Sequence, residues 1–463
     1  MRKSTSNYEA PDNYMALKQK SILFGALFMG LGHIFFLKQR KKGITYMLIE
    51  LVTLFFVFFE VHNSNIYFSG NGPIIKVLRQ MTTLGGDQSH LPVKERLHAM
   101  FILNDGLIIC LILAIVALIY VFSLINISKS VEYYQKTGIL QQNSTSFNSF
   151  MDRAFPWIGL TPTVILLAIF VLLPLLFSAL IAFTDYSVPH HLPPANRVNW
   201  VGVDNFVTII TGDLFFAHSF SRVLVWTITW ALLATATTFL GGFAMTLILR
   251  SQNIKLKGFF RSIFILPYAI PGLISIMVWA NLLNGSFGPI NAILKEIGLI
   301  STNIPWLTEP TMAKISMVCV NLWLGFPYQM LMTSSIMTSI SEDIFEAGRI
   351  DGANHWQMTQ RIYLPLVLRQ AMPLLIMSFC ANFNNFGLAY MLTNGNPPIF
   401  GETAQTRAGA TDIIISWIYK LTYEAPQQYQ YAAVLSVIIF LILTPFAIFN
   451  YKRTKSYKES DLH

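Results

Sequence analysis

Residues 341–365 read SEDIFEAGRIDGANHWQMTQRIYLP. They gather charged and polar groups in a chain that is only 12% charged, and they lie between two apolar runs, Ala313–Thr338 and Leu366–Leu392. The stretch opens like a helix. Ser339 or Ser341 is placed to cap, and Glu342, Asp343 and Glu346 fall in the first turns, where the helix dipole favours negative charge. Gly348 and Gly352, four apart, predict a side bare of side chains that another backbone could approach closely. Pro365 closes the segment before the next apolar run. A polar helix between two membrane helices is either an ordinary connecting loop or a handle for a partner, and periodicity alone leaves both open.

Composition sets the frame around this stretch. The chain has 463 residues, 54% of them hydrophobic, and a mean hydropathy of +0.51, which is the balance of an integral membrane protein. Cys110, Cys319 and Cys380 sit inside apolar runs with no CxxC pair, so a disulfide framework and a zinc site are not expected. Lys and Arg cluster in particular loops, and the net charge of +9 reads as positive-inside bias. A nucleic-acid partner is excluded because no soluble domain offers a basic face.

Taken in order, residues 1–43 make a polar, basic N-terminus followed by Ser21–Leu37, an apolar run at the short limit for a crossing. Basic residues flank both of its ends, so it reads as re-entrant or interfacial. Residues 44–126 form a two-span extension, with Ile44–Phe59 outward, an external loop, and Gly106–Ile125 returning. Glu50 lies at membrane depth in the first of these, outside the expected pathway, and a structural role is favoured. Residues 127–155 read as a cytoplasmic linker, with the NSTSFNS composition of a flexible one. Six spans follow within 156–452: Trp157–Phe183, Val223–Leu249, Ser262–Leu283, Ala313–Thr338, Ala371–Leu392 and Tyr431–Phe449. The basic loop Arg250–Arg261 and the basic tail 453–463 are both cytoplasmic by charge, and the same count places 341–365 in the cytoplasm. The expected fold is therefore all-α and membrane-integral, with eight transmembrane helices, both termini cytoplasmic and a six-helix core. Prolines at 162, 174, 267, 271, 327 and 373 interrupt core spans, which in lipid requires neighbours or a cavity to satisfy the freed backbone.

Two core spans carry polar stripes. Asn321, Leu324, Gly325 and Tyr328 share one helical face, as do Ser378, Asn382 and Asn385, with Asn384 alongside and Gly387 two residues on. Buried amides and a phenol need partners, which interhelical packing or a wet cavity could supply, and spacing does not choose between them. No carboxylate or basic side chain joins the stripes. Such a set suits a neutral, hydroxyl-rich ligand, and the core spans show no carboxylate relay for a proton- or sodium-driven carrier. No G-x4-G-K-[ST], HExxH or GxSxG run occurs, and the nine histidines are scattered. Catalytic residues, metal ligands and a cofactor bound by this chain are not expected.

The spacing within 341–365 carries a resemblance. Glu346-Ala347-Gly348, three residues, Gly352, nine residues, Ile362-Tyr363-Leu364-Pro365 is similar to the EAA loop of ABC importer permeases, with Gly348 in place of an alanine. The runs NLWLGFPYQM (321–330), SFCANFNNFGLAYMLTNGNPP (378–398) and RAGATDIIISWIYKLTYE (407–424) resemble the larger, MalF-type permease subunit of maltose/maltodextrin importers. The resemblance covers about residues 155–455. It implies coupling to a separate ATPase through Glu346, Ala347, Gly348, Asp351, Gly352, Ile362, Leu364 and Pro365. It also implies a sugar site at Leu324, Gly325, Tyr328, Ser378, Asn382, Asn385 and Gly387. The implied partners are a second homologous permease, two ATPase subunits holding the ATP and Mg, and an external sugar-binding protein. In a family member with a large external domain between the third and fourth spans, that domain holds the binding protein; here the matching loop, 184–221, is short. The expected activity is import of maltose or maltodextrins across the bacterial cytoplasmic membrane by alternating access, without enzymatic activity of its own. The rivals are a permease for another oligosaccharide such as galacto-oligosaccharides, a secondary sugar carrier, and a membrane glycosyltransferase, which would need an aspartate-rich catalytic loop.

Overall fold

The computed structural model describes residues 14–59, 73–86, 92, 96–138, 140, 155, 159–192, 197–212, 214–251 and 254–453. The NSTSFNS stretch, residues 60–72, 87–91 and 93–95 of the first external loop, and the basic C-terminal tail beyond residue 453 lie outside the described residues. Among those described, the secondary structure is helical, with two isolated bridges, Thr184 to Trp200 and Pro398 to Gly409. Two compact units emerge, Met1–Leu180 with Thr184–Trp200, and Ile181–Phe183 with Val201–His463.

In the first unit the short apolar run is not one helix. Helices α1 (Tyr14–Leu27) and α2 (Leu31–Phe35) meet at a turn in which Gly30 has φ 95°. A side chain on Gly30 would run into the backbone carbonyl of Gly43, so the chain doubles back there only because glycine is present. α3 (Arg40–Phe58) carries Glu50, whose carboxylate accepts the amide N–H of Met29 beside the turn. A break between helices leaves such donors without a helical acceptor, and Glu50 supplies one. His33 is fully buried, bonded through Nδ1 to Gln39 Oε1 at 3.0 Å and stacked on Tyr46. α4 (Ile74–Thr83) follows, and then α5 (Ala99–Thr137), whose 39 residues extend about 58 Å at 1.5 Å per residue. The expected linker thus begins later: Ile127 and Val131 are helical and close a small core with Leu37. α6 (Gly159–Ile181) widens to π geometry at Ala168–Leu172, just ahead of Pro174.

The second unit holds α7 (Asp204–Val207), α8 (Leu214–Arg250), α9 (Lys257–Ala269), α10 (Gly272–Leu282), α11 (Pro289–Glu296) and α12 (Pro310–Ser339). After these come α13 (Glu342–Ile350), α14 (His355–Met358), α15 (Leu364–Phe383), α16 (Phe386–Thr393), α17 (Thr403–Thr406), α18 (Ile414–Tyr423) and α19 (Tyr429–Arg453). α8 and α12 form a tight seam. A Cβ on Gly242 would fall 2.5 Å from the Met330 amide nitrogen, and one on Gly325 2.7 Å from Thr238 Cγ2. Thr246 donates across the seam to the Met330 carbonyl at 2.9 Å and meets the Thr333 hydroxyl at 2.7 Å. Small residues that let backbones close, with hydroxyls bonding across, are how helices associate in lipid.

Six described helices are long and apolar enough to cross a membrane, and seven crossings result if the bent pair α9–α10 counts as one. That pair, expected as one span over Ser262–Leu283 interrupted by Pro267 and Pro271, bends by 90° at Ile270-Pro271. The residue before a proline leaves helical geometry, and the proline has no N–H to continue the ladder. The count of eight is not reached. The expected crossing Ile44–Phe59 forms α3, but Arg40, Lys41, Lys42 and Glu50 lie within that helix. The fifth core span, expected over Ala371–Leu392, is likewise interrupted between Phe383 and Phe386.

Replacing Gly242 with valine should destabilise this unit by about 1–3 kcal/mol through overpacking. Gly258→Val, at a site with open space around it, serves as the control. Thermal unfolding in detergent checks the pair, and equal midpoints would refute the seam.

Candidate coupling elbow and translocation site

The elbow is α13 with the turns that follow. Ser341 stands at the N-cap, but its hydroxyl donates to Asp343 Oδ2 at 3.0 Å instead of capping the backbone. Glu342 and Asp343 in the first turn and Arg349 in the last complement the helix dipole. Gly352, at φ 79°, reverses the chain, and the Ala353 N–H reaches back to the Gly348 carbonyl at 3.0 Å. Asn354 and Gln357 then form a reciprocal capping box at 2.8 and 2.9 Å that starts α14. A π turn, Thr359–Tyr363, leads to Pro365 in the first turn of α15.

What fastens the elbow is one side chain. Phe345 is fully buried, its ring 4.6 Å from that of Tyr363, with the Arg250 guanidinium 4.9 Å from its centroid. Arg250, the last residue of α8, also pairs with Glu342. The cluster around Phe345 takes Phe239 and Phe243 from α8, Met332 and Met337 from α12, Met358 from α14 and Val367 from α15. A push on α13 therefore reaches three long helices through one apolar plug.

The two glycines do not form the bare face expected of them. Gly348 points inward, where a Cβ would meet Ile362 Cδ1 at 2.6 Å and Met358 Sδ at 2.8 Å, whereas Gly352 serves the turn. Ile362 and Leu364 pack half-buried against the Phe345 cluster. Glu346, Ala347, Asp351, Gly352 and Pro365 are exposed. Beside them stand Ile344, Ile350 (85% exposed) and Trp356 (67% exposed), which the sequence reading did not single out. Their apolar character inside a polar segment was the available signal. Together they make an outward surface of charge and bare hydrocarbon of the kind that marks a docking site.

The polar stripes are only partly brought together. Asn321 and Gly325 face α8 in the seam, with Asn321 Nδ2 at 3.5 Å from the Ala234 carbonyl. Leu324 packs among the apolar residues around Trp226 and Trp230. Tyr328 is 42% exposed, its ring 6.1 Å from that of Tyr268. Ser378 accepts from Gln329 Nε2 at 3.3 Å, and Asn382 Nδ2 donates to Thr235 Oγ1 at 3.1 Å. Trp230 Nε1 donates at 3.0 Å to the Asn382 carbonyl, which also accepts the Asn385 N–H at 3.1 Å where α15 stops. Asn385 does not share a helical face with them: it is the N-cap of α16 and accepts from the Leu388 N–H at 3.2 Å. Gly387 lies against Leu273 of α10. Thr235 and Gln329, missed by the reading, are the partners that hold Asn382 and Ser378.

At the far end of α8, roughly 40 Å from Arg250 at 1.5 Å per residue, loop 394–413 is tied down by two carboxylates. Glu402 receives Ser219 Oγ at 3.0 Å and Arg222 Nη2 at 3.1 Å, and His218 Nδ1 lies 2.6 Å away. Burial alone would raise its carboxyl, but these hydrogen bonds and the guanidinium hold it below the usual carboxylate range. Asp412, fully buried, pairs with Lys420 at 2.8 Å and accepts from Ser416 Oγ and the Gly409 N–H at 2.7 Å each.

With this geometry in view, residues 237–453 match a family described as the binding-protein-dependent transport system inner membrane component. The galactooligosaccharides transport system permease protein GanP of Bacillus subtilis is 32% identical over 96% of this chain and 100% of its own length. The maltodextrin transport system permease protein MalC of Streptococcus pneumoniae is 33% identical over 94% of this chain and 95% of its own. Against the maltose/maltodextrin permease MalF of Vibrio vulnificus the match is 36% identical but spans 55% of this chain and 48% of that protein. The fold resembles a bacterial ABC transporter involved in alginate import, with a TM-score of 0.51 over 66% of this chain and 99% of the matched one at 22% identity.

Phe345→Ala should cost about 3–5 kcal/mol and expose α13 to protease while α18 stays protected. Lys420→Met, which leaves a buried carboxylate unpaired, should cost about 3–5 kcal/mol by thermal unfolding. Because the Glu402 carboxyl is depressed in the fold, its contribution is complete at neutral pH and lost as pH falls through that depressed value. Amide exchange at 402–409 should therefore rise on acidification, and Glu402→Gln should flatten that dependence.

Proposed function

Since the chain belongs to the inner-membrane components of binding-protein-dependent transport systems, and is a permease subunit rather than an enzyme, we propose that its cargo is a maltodextrin moved by alternating access. The chain is the permease of an ABC importer of sugars or oligosaccharides. The observation that carries the mechanism is the Phe345 plug. A motor gripping the exposed face of Glu346, Ala347, Ile350 and Asp351 would displace α13, and the plug would pass that motion to α8, α12 and α15. The bend at Pro271 and the interruption at Asn384–Asn385 are joints where halves of spans can turn separately.

In this reading the elbow, the loop Arg250–Arg261 and both termini face the cytoplasm. The partners are a second permease, two ATPase subunits that carry ATP and Mg, and an external binding protein. Ser378 and Asn382 hold Gln329 and Thr235 in this structure, and a sugar hydroxyl would replace those partners one for one, at little net loss. Tyr328 offers a ring for the apolar face of a pyranose. Asn321 and Gly325 act in the seam, so the sugar site narrows to Leu324, Tyr328, Ser378, Asn382, Asn385 and Gly387. Uncharged donors and acceptors fit a neutral oligosaccharide; MalC and MdxF are named for maltodextrin, and GanP, similar to the same degree, for galactooligosaccharides.

The test is uptake of labelled maltodextrins and galacto-oligosaccharides by proteoliposomes holding the complete complex. Glu346→Lys and Ile350→Asp should abolish sugar-stimulated ATP hydrolysis while the subunit remains assembled, and normal coupling in both would refute the elbow. Asn382→Ala with Asn385→Ala should impair uptake without loss of assembly. Collapse of uptake with an uncoupler, but not with ATP depletion, would identify a secondary carrier.

A further inference from the structure

The cations at the elbow end of α8 are accounted for by the charge bias of membrane proteins. Those at the opposite end are not. There a cleft of ≈ 530 Å³ opens between the first half of α8 and the start of α12, its lining including His218, Arg222, Trp226, Thr229 and Lys314. Glu402 brings the one carboxylate bonded to this group, and it is committed to His218, Ser219 and Arg222. Arg222 is further occupied by the carbonyls of Ala408 and Gly409.

Lys314 is left over. Its ammonium rests 4.7 Å from the centroid of the Trp226 ring, and among the described residues no carboxylate lies within 4 Å of it. The position is unfavourable for a cation. Lys314 stands in the second turn of α12, whose N-terminal amides are already turned towards the Glu309 cap, and the helix dipole adds positive potential there. Trp226 cannot rotate away to make room, because its indole N–H is bonded to the Thr411 carbonyl at 3.2 Å.

We propose that this cleft seats an acidic side chain of the external binding protein, with Lys314 as its counter-ion. The inference rests on the importer reading above. An incoming carboxylate would meet the ammonium in a charge-assisted hydrogen bond, with the exposed Thr229 hydroxyl as a second donor and the Trp226 ring as an apolar wall. A protein side chain suits the site better than an acidic sugar, since the candidate cargo residues carry no charge and Asn382 is held by Trp230 and Thr235, about one to two and a half turns beyond Trp226 along α8. Loop 394–413, fastened by Glu402 beside the cleft, would frame the docked protein.

The experiment uses the complete complex in nanodiscs with its binding protein and sugar, and reads ATP hydrolysis against binding-protein concentration. Lys314→Glu should raise the half-saturating concentration about tenfold and flatten its dependence on salt, as removal of a steering charge does, whereas Lys314→Arg should stay near the parent value. A reciprocal Glu→Lys or Asp→Lys change on the binding protein should restore the Lys314→Glu complex. An unchanged half-saturating concentration in both Lys314→Glu and Lys314→Ala would overturn the proposal. So would a defect confined to subunit assembly, or one confined to uptake of a uronate-containing sugar. If the parent complex were not stimulated by a binding protein at all, the importer reading itself would fall, a result distinct from a failure at Lys314.

Discussion

Two helices meet where side chains are missing, and the rest of the second unit is arranged around that meeting. Gly241 and Gly242 on α8 and Gly325 on α12 remove the atoms that would hold the backbones apart. Thr246 and Thr333 then use the proximity to bond across. In lipid no hydrophobic force drives one helix against another, so contact of this closeness has to come from shape and hydrogen bonding. With the seam in place, α8 contributes to three apolar clusters among the described residues of the unit, through Phe216 and Val223 near its start, Trp230 in its middle and Phe239 and Phe243 towards its end.

In that arrangement α8 is clasped at both ends. At one end Arg250 closes the helix and clasps the elbow through Glu342 and the Phe345 ring. At the other, Arg222 and Ser219 clasp the loop that carries Glu402. A rigid rod with a clasp at each end passes displacement along its length, and the places where the unit can yield lie in other helices, at Pro271 and at Asn384–Asn385.

Much of this was legible in the residues. Runs of apolar length marked most of the long helices, Pro271 marked the bend, and the polar elbow stood out from its surroundings by charge. The candidate cargo residues were harder. Helical spacing put Asn385 on a face with Ser378 and Asn382, but the helix ends at Phe383 and Asn385 starts another. Periodicity assumes an unbroken helix and carries no term for where one stops. The glycines misled in a similar way. Gly348 and Gly352 share spacing but not environment, one covered by Met358 and Ile362 and the other in a left-handed turn with open space around it.

By itself the sequence determined the class of protein and the place of its polar elbow. Burying so many apolar residues needs a membrane, and a run of charges between two spans must lie outside it, whatever the tertiary arrangement. Only the tertiary structure decided which polar groups are glue and which are available, because an amide's role depends on the partner across the helix interface, often far away in the chain. Asn321 meets α8, Asn382 meets Thr235, and Lys314 meets an indole ring. Such pairings are set by how the helices cross, a geometry that no local pattern of residues encodes.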